Sequence, residues 1–77
     1  MKVTVERKVV FEWTDDDREE DMYEEFEVGD GISIDSSVRA YDGDIIEIGE
    51  EYITIHDVNT DEDIGIPYGN IEAVDTY

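Results

Sequence analysis

The sequence predicts a small, mostly all-β domain. Short stretches of alternating apolar and polar residues recur along the chain, and Gly, Asp and Asn cluster between them. An alternation with a period of two is the pattern of a half-buried strand. Short strands joined by short turns favour a small barrel over a sandwich. Since the chain has 77 residues, we expect a single domain, 1–77, with one core.

The charge of the chain is its strongest compositional feature. Asp and Glu number 24 against five Lys and Arg, which gives a net charge of −19. Such a chain repels itself at low ionic strength, whereas in 1 M salt the screening length falls to about 3 Å. The composition is typical of proteins from the cytosol of a salt-accumulating halophile, and the absence of cysteine fits a cytoplasmic location. A DNA-mimic inhibitor that presents phosphate-like carboxylates is the alternative interpretation.

The first 13 residues form an extra N-terminal strand in this prediction. Apolar side chains occupy the odd positions on either side of Arg7, namely Val3, Val5, Val9, Phe11 and Trp13. The pattern predicts either one long bent strand or a strand with a bulge near Arg7.

Residues 14–27 are strongly acidic and predict a short helix or an acidic loop. Thr14 is a suitable N-cap, and the acids after it suit the first turn of a helix. However, five like-charge pairs would lie four residues apart, and each of them opposes the helix. We therefore expect the helix only in high salt.

The barrel core is predicted over residues 28–77. The strand pattern of "ISIDSSVRAY" is followed by a turn at Asp42-Gly43, and the segments "DIIEI" and "YITIHDV" predict a hairpin closed by "GEE". "NTDED" then predicts a turn, "IGIPY" a short strand ended by Pro67, "GN" a tight turn and "IEAVDTY" the last strand.

One acidic stretch, "DVNTDEDIG", has the spacing of a calcium loop. It places oxygen-bearing side chains at alternate positions, as the first half of an EF-hand loop does: Asp57, Asn59, Asp61 and Asp63. The glycine required at the sixth position is replaced by Glu62, and the glutamate required at the twelfth by Tyr68. A solvated hairpin tip is the favoured interpretation, with weak binding of Ca²⁺ or another cation as the alternative; no other cofactor is expected.

No catalytic residue is predicted. His56 is the single histidine and there is no cysteine, so a histidine-based triad or a zinc hydrolase site would lack its usual partners. We expect a surface or edge-strand histidine and a protein that is not an enzyme.

The aromatic side chains are the candidate binding residues. Tyr41, Tyr52 and Tyr68 could offer stacking or packing surfaces, and Trp13 could serve as an oligomer contact. Nucleic-acid binding normally requires a basic patch, which five cations do not supply. In molar salt, however, the attraction of phosphate is screened for any protein, so RNA remains an alternative partner.

Residues 28–75 resemble the small SH3-like barrels and, more narrowly, the Sm-like (LSm) proteins. The order of residues in "YDGDIIEIGEEYITIHDV" is similar to the first Sm motif, and "IPYGNIEAV" stands where the second motif would stand. The resemblance implies a five-stranded barrel and, for many members, rings that bind uridine-rich RNA. This chain has Gly49, Tyr52 or Ile53, and Tyr68 where the family has the Asp, Asn and Arg of its base pocket, so the pocket does not carry over.

Together these observations predict a five-stranded SH3-like or Sm-like barrel that acts as a non-catalytic binding or assembly module. We expect a protein partner or self-association, with no membrane and no small-molecule substrate. The alternatives are an Sm-like RNA-binding ring protein and an acidic DNA mimic.

Overall fold

The computed structural model describes residues 1–77 and is built almost entirely from antiparallel strands. Its elements are β1 (Lys2–Val5), β2 (Val9–Asp15), β3 (Glu20–Phe26), β4 (Gly31–Ser36), β5 (Ala40–Ile48), β6 (Tyr52–Asp57), β7 (Glu62–Pro67), a 3₁₀ turn (Tyr68–Asn70) and β8 (Ile71–Thr76). The chain has no helix with the length and apolar character needed to cross a membrane. The all-β fold class is confirmed.

The strands form two sheets. One has three strands in the order β1-β2-β3, and the other has five in the order β7-β6-β5-β4-β8. The five-stranded sheet is not closed into a barrel, because its edge strands β7 and β8 are not hydrogen-bonded to each other. The N-terminal sheet instead supplies side chains to the same hydrophobic core.

The N-terminal segment is a hairpin and not a single long or bulged strand. Val5 of β1 pairs with Val9 of β2, and the backbone N–H of Glu6 donates to the carbonyl of Lys8 at 3.0 Å. Three polar residues, Glu6 to Lys8, thus turn the chain at the interruption in the apolar alternation. Directly paired residues face the same side of a sheet, so Val5 and Val9 both remain on the inner face.

The prediction of a helix or loop over residues 14–27 is wrong at Thr14 and Asp15, which end β2, and from Glu20 onward, where β3 pairs along the whole of β2. The strand places Met22, Glu24 and Phe26 toward the core and sends Asp21 and Glu25 outward. It also separates the acids that a helix would stack four residues apart. The Lys8 ammonium, in the β1–β2 turn, donates a hydrogen bond to the Glu25 carboxylate at 3.0 Å. Lys8 therefore offsets part of the negative charge of β3.

The predicted turn at Asp42-Gly43 is also wrong, since both residues lie within β5. The chain turns instead at residues 37–39, where the Ser36 hydroxyl accepts the backbone N–H groups of Val38 and Arg39. Gly43 is required for a different reason: a Cβ there would overlap the backbone carbonyl of His56. The glycine therefore permits close approach of β5 and β6.

The remaining elements follow the prediction. The β5–β6 hairpin is confirmed, as are the turn after Asp57, the strand that ends at Pro67 and the last strand. A register shift between Ile45 and Glu47 accommodates two consecutive isoleucines. Ile45 is 1% exposed, whereas Ile46 is 42% exposed on the other face.

The connection between the sheets is a tight turn at residues 27–30. The Glu27 N–H donates to the Asp30 carboxylate at 2.8 Å, and Gly29 has a φ of 98°, which favours glycine. The Gly29 N–H donates to the Ile45 carbonyl, and the Ile45 N–H donates to the Asp30 carbonyl, at 2.8 and 2.9 Å. These bonds attach the turn to β5.

The core is formed by one cluster of 11 apolar side chains from both sheets. The N-terminal sheet contributes Val9, Phe11 and Phe26, and the larger sheet contributes Ile32, Ile34, Ile45, Ile53, Ile55, Ile66, Ile71 and Val74. Phe11 contacts Phe26 edge to face, with centroids 6.0 Å apart, and Tyr68 of the larger sheet's 3₁₀ turn at 6.2 Å. Phe11 therefore joins the sheets.

Replacing Phe11 with Ala should unfold a large share of the protein. Truncation of a buried Phe costs about 3–5 kcal/mol, and at about 0.05–0.15 kcal/mol per residue the whole domain has only about 4–12 kcal/mol. Tyr23 is the matched control, because it is an aromatic residue of the same sheet that is 65% exposed. Denaturant unfolding at fixed KCl should show a large loss for F11A and a change within about 0.5 kcal/mol for Y23A. Equal midpoints would contradict this account of the core.

Candidate functional site

A histidine held between two carboxylates lies on the β6–β7 hairpin. His56 Nδ1 is 2.8 Å from the Asp63 carboxylate and Nε2 is 2.7 Å from that of Asp61. Strand pairing sets the first contact, since His56 lies directly opposite Asp63. Asp61 reaches the ring from the turn, where its φ is 57°. We call these three residues the histidine clamp.

The clamp favours a protonated imidazole. A neutral ring has one N–H, so only the imidazolium can donate to both carboxylates. The hydrogen bonds to Asp63 and then Asp61 raise the pKa of His56, and partial removal from water opposes them. The His56 side chain is 40% exposed, so the clamp remains open to solvent.

Asp57 has a structural role in the same turn. It is 3% exposed; one carboxylate oxygen accepts the Asn59 N–H at 3.0 Å, and the other accepts the Thr60 hydroxyl at 3.2 Å. The Asp61 N–H donates to the Asp57 carbonyl at 2.8 Å. These bonds satisfy the buried carboxylate within its own turn.

The residues with calcium-loop spacing are therefore engaged in separate contacts. Asp57 bonds its own turn, whereas Asp61 and Asp63 bond His56. No group of three or more His, Cys, Asp or Glu side chains has an arrangement that could hold a metal ion. Weak cation binding by Asp57, Asn59, Asp61 and Asp63 stays a prediction.

The three candidate tyrosines lie in different surroundings. Tyr52 is 46% exposed at the start of β6, and Tyr41 is partly buried beneath the Arg39 guanidinium, 4.8 Å from the ring centroid. Tyr68 packs against the core, and its hydroxyl donates to the Gly49 carbonyl at 2.7 Å. Burial raises the pKa of Tyr68. Of the three, Tyr52 has the most accessible ring, and Tyr68 has contacts that stabilise the fold.

Trp13 borders two open depressions at one end of the molecule. It is partly buried against the core at the far end of β2. One depression, of about 390 Å³, is lined by Met1, Lys2, Glu12, Trp13, Thr14 and Asp21. The other, of about 300 Å³, is lined by Met1, Trp13, Thr14, Glu72, Ala73 and Val74. Trp13 of the N-terminal sheet thus shares a depression with residues of the unpaired edge strand β8.

Sequence reasoning missed the clamp and the depressions. The clamp could have been found, because a hairpin turn between Asp57 and Glu62 places His56 opposite Asp63. The depressions could not, because they depend on the proximity of β2 and β8, which no local pattern reveals.

Comparison of the chain with protein-family models, curated proteins and solved structures gives no match.

The clamp should make stability depend on pH. Because the folded-state pKa of His56 lies above its ordinary value of 6.5, the stabilisation is fully present below pH 6.5 and is lost as pH rises through the raised pKa. NMR titration of the single histidine should give a pKa above 6.5, and thermal unfolding temperatures should fall across the same pH range. In D61N/D63N the pKa should return toward 6.5. H56Q removes the imidazole and leaves the rest of the chain unchanged; an unchanged pH slope in H56Q would contradict the assignment.

Proposed function

We propose that the chain is a non-catalytic protein-binding module built on an SH3-like barrel that is open between β7 and β8. The strand order supports this fold, because β8 returns beside β4, the first strand of its sheet, and a 3₁₀ turn directly precedes it. The same strand order also supports the Sm-like resemblance. In this proposal the three-stranded N-terminal sheet covers the open side of the barrel.

The observation that carries the binding proposal is the position of Trp13 between two depressions beside an unpaired strand. A tryptophan with one face on the core and another toward water is a frequent anchor in protein interfaces. The free backbone groups of β8 could accept an extended segment of a partner. The proposed binding surface is therefore Trp13 together with β8.

The charge around this surface indicates the chemistry of the partner. Glu12 and Asp21 border one depression and Glu72 borders the other, with Lys2 as the only lysine or arginine of the two linings. A partner segment with Lys or Arg beside apolar residues would complement that charge. A basic extended peptide is the proposed ligand.

The two alternative functions remain distinguishable. An Sm-like RNA binder would form rings of several subunits and retain uridine-rich RNA, whereas a DNA mimic would compete with DNA for a DNA-binding enzyme.

The proposed location is the cytoplasm of a halophile. The amino-acid composition is the observation that supports this location.

The salt dependence of folding tests the halophilic proposal. With a net charge of −19, repulsion between carboxylates should unfold the domain below a few tenths molar KCl, and about 1 M KCl should restore it. Circular dichroism of the strands during a KCl titration measures the change. NaCl at the same ionic strength is the control, because charge screening depends on ionic strength and not on the identity of the monovalent cation. A domain that stays folded in dilute buffer would favour the DNA mimic.

Trp13 fluorescence tests the binding proposal, because it is the only tryptophan of the chain. Proteins captured from a high-salt, nuclease-treated lysate of the source cells should be identified, and peptides from their basic segments titrated against the protein. Binding should shift Trp13 emission. Glu72→Lys should weaken it by about tenfold, since the charge at the rim changes by two units.

Glu47→Lys is the control for that variant. It makes the same change of charge at an exposed position of β5. Equal weakening by both variants, or captured ligands that leave Trp13 emission unchanged, would contradict the proposed surface.

A further inference from the structure

Four strand edges are left unpaired, and they differ in their protection against further pairing. The edges are β1 and β3 of the smaller sheet and β7 and β8 of the larger one. Three of these strands carry acidic residues, and β7 also ends in proline: Glu20, Asp21, Glu24 and Glu25 in β3; Glu62, Asp63 and Pro67 in β7; Glu72 and Asp75 in β8. Charges and proline on an edge oppose its pairing with another chain.

Strand β1 has no such protection. Its sequence is KVTV, with no acid and no proline, and it is hydrogen-bonded on one side only, to β2. Val3 and Val5 face the core side and are only half-buried. Apolar and backbone groups of β1 therefore remain available.

The charge of the surrounding segment also favours contact between copies. Residues 1–13 contain three cations, Lys2, Arg7 and Lys8, against two acids, Glu6 and Glu12, while the whole chain carries −19. Two copies that approach each other elsewhere bring acidic surfaces together. The N-terminal hairpin is the part of the molecule where that repulsion is smallest.

We propose that β1 pairs antiparallel with β1 of a second copy, with the two-fold axis at Thr4, to form a continuous six-stranded sheet. This inference goes beyond the proposed peptide-binding function, because it names a second copy of the chain as a partner at a different strand edge. A symmetric contact of this kind closes on itself as a dimer.

The sequence around Thr4 is self-complementary in this register. Residues directly opposite each other in an antiparallel pair face the same side. With Thr4 opposite Thr4, Lys2 lies opposite Glu6 on the exposed face and Val3 lies opposite Val5 on the core side. Each of these pairs occurs twice in the dimer, so the contact gains two opposite-charge pairs and two valine pairs.

Other registers lose this complementarity. A two-fold axis at Val3 would place Lys2 opposite Thr4 and leave Glu6 without a partner strand. An axis between residues 3 and 4 would place the exposed Lys2 opposite the half-buried Val5, against the alternation of the strand. The Thr4 register alone satisfies both charge and burial.

The intrachain contacts leave both charged groups free for this role. Lys8 is paired with Glu25, and Arg18 with Asp15, but neither Lys2 nor Glu6 has an oppositely charged group within 4.0 Å. Both side chains are exposed. Glu6 has no partner in the β1–β2 ladder, so E6K should leave the folded monomer intact; Lys2 lies directly opposite Glu12, so circular dichroism must first show that K2E is folded.

A charge exchange tests the register. At the lowest KCl concentration that keeps the protein folded, where ion pairs are screened least, sedimentation velocity over a range of protein concentrations should show a wild-type dimer. K2E and E6K should each weaken the dimer by roughly 2- to 30-fold, because two favourable pairs become like-charge pairs. The double variant K2E/E6K should restore it.

Net charge alone predicts a different result. E6K makes the chain less acidic and would strengthen a dimer limited by general repulsion. Arg39→Glu, at an exposed position of the turn between β4 and β5, changes the charge as K2E does but lies outside the proposed contact, so it should leave the dimer nearly unchanged. Strengthening by E6K, or failure of the double variant to recover, overturns the proposal.

A cross-link provides an independent measurement. The chain has no cysteine of its own, so T4C offers one thiol per copy, and directly opposite Cβ atoms lie about 4.5–5.5 Å apart. A short bismaleimide should join T4C into a covalent dimer, whereas T76C on the acidic β8 edge should stay monomeric. Equal yields from both variants would overturn the proposal.

The outcome is separable from that of the proposed function. A monomer that still binds a basic peptide in a Glu72-dependent manner removes the dimer and leaves the binding module. If the protein is a dimer and no ligand changes Trp13 emission, the dimer is kept and the binding module is removed.

Discussion

Burial of Phe11 between the two sheets is the contact on which the rest of the structure depends. The larger sheet is open, so its isoleucines would face water on one side without the N-terminal strands. Phe11 closes that side through edge contacts with Phe26 and with Tyr68. Tyr68 in turn is bonded to the β5–β6 turn through the Gly49 carbonyl. A single aromatic side chain thus links the first hairpin, the third strand and the turn before the last strand, and a domain of this size has few other core residues to replace it.

The acidic composition is compatible with this core because strands separate each residue from its neighbours. In β3, alternation sends Asp21, Tyr23 and Glu25 to the outer face while Met22 and Phe26 turn inward. A helix over the same residues would align carboxylates four positions apart on one side. The β6–β7 hairpin uses its acids differently, since two of them bind His56 and a third satisfies the backbone of the turn. The acids of this chain therefore include structural groups as well as solvated charges.

Much of the fold could be predicted from local patterns, and the errors have physical causes. The β5–β6 hairpin and the strand ended by Pro67 follow from alternation and turn residues, which are properties of neighbouring positions. The strand character of β3 was hidden by charge, because its alternation of Met22 and Phe26 is interrupted by Glu24 on the same face. The sequence around Gly43 predicts a turn, although the role of this glycine is close approach to the His56 carbonyl of the neighbouring strand. The surroundings of Trp13 depend on strands distant in sequence, and neither spacing nor composition contains that information.

The return of β8 to β4 has a consequence for how the chain reaches its structure. Every other strand pairing joins consecutive strands, so these hairpins close over short loops. The β4–β8 pairing instead joins Ile34 to Val74, across the whole of β5, β6 and β7. Loop-closure entropy makes such a distant pairing slow to form. A large sequence separation between paired strands affects the folding rate more than it affects the stability of the folded protein. Formation of this one ladder should set the folding rate, and partly folded chains that lack it would expose Ile32 and Ile34 at an unpaired edge, where intermolecular strand pairing begins.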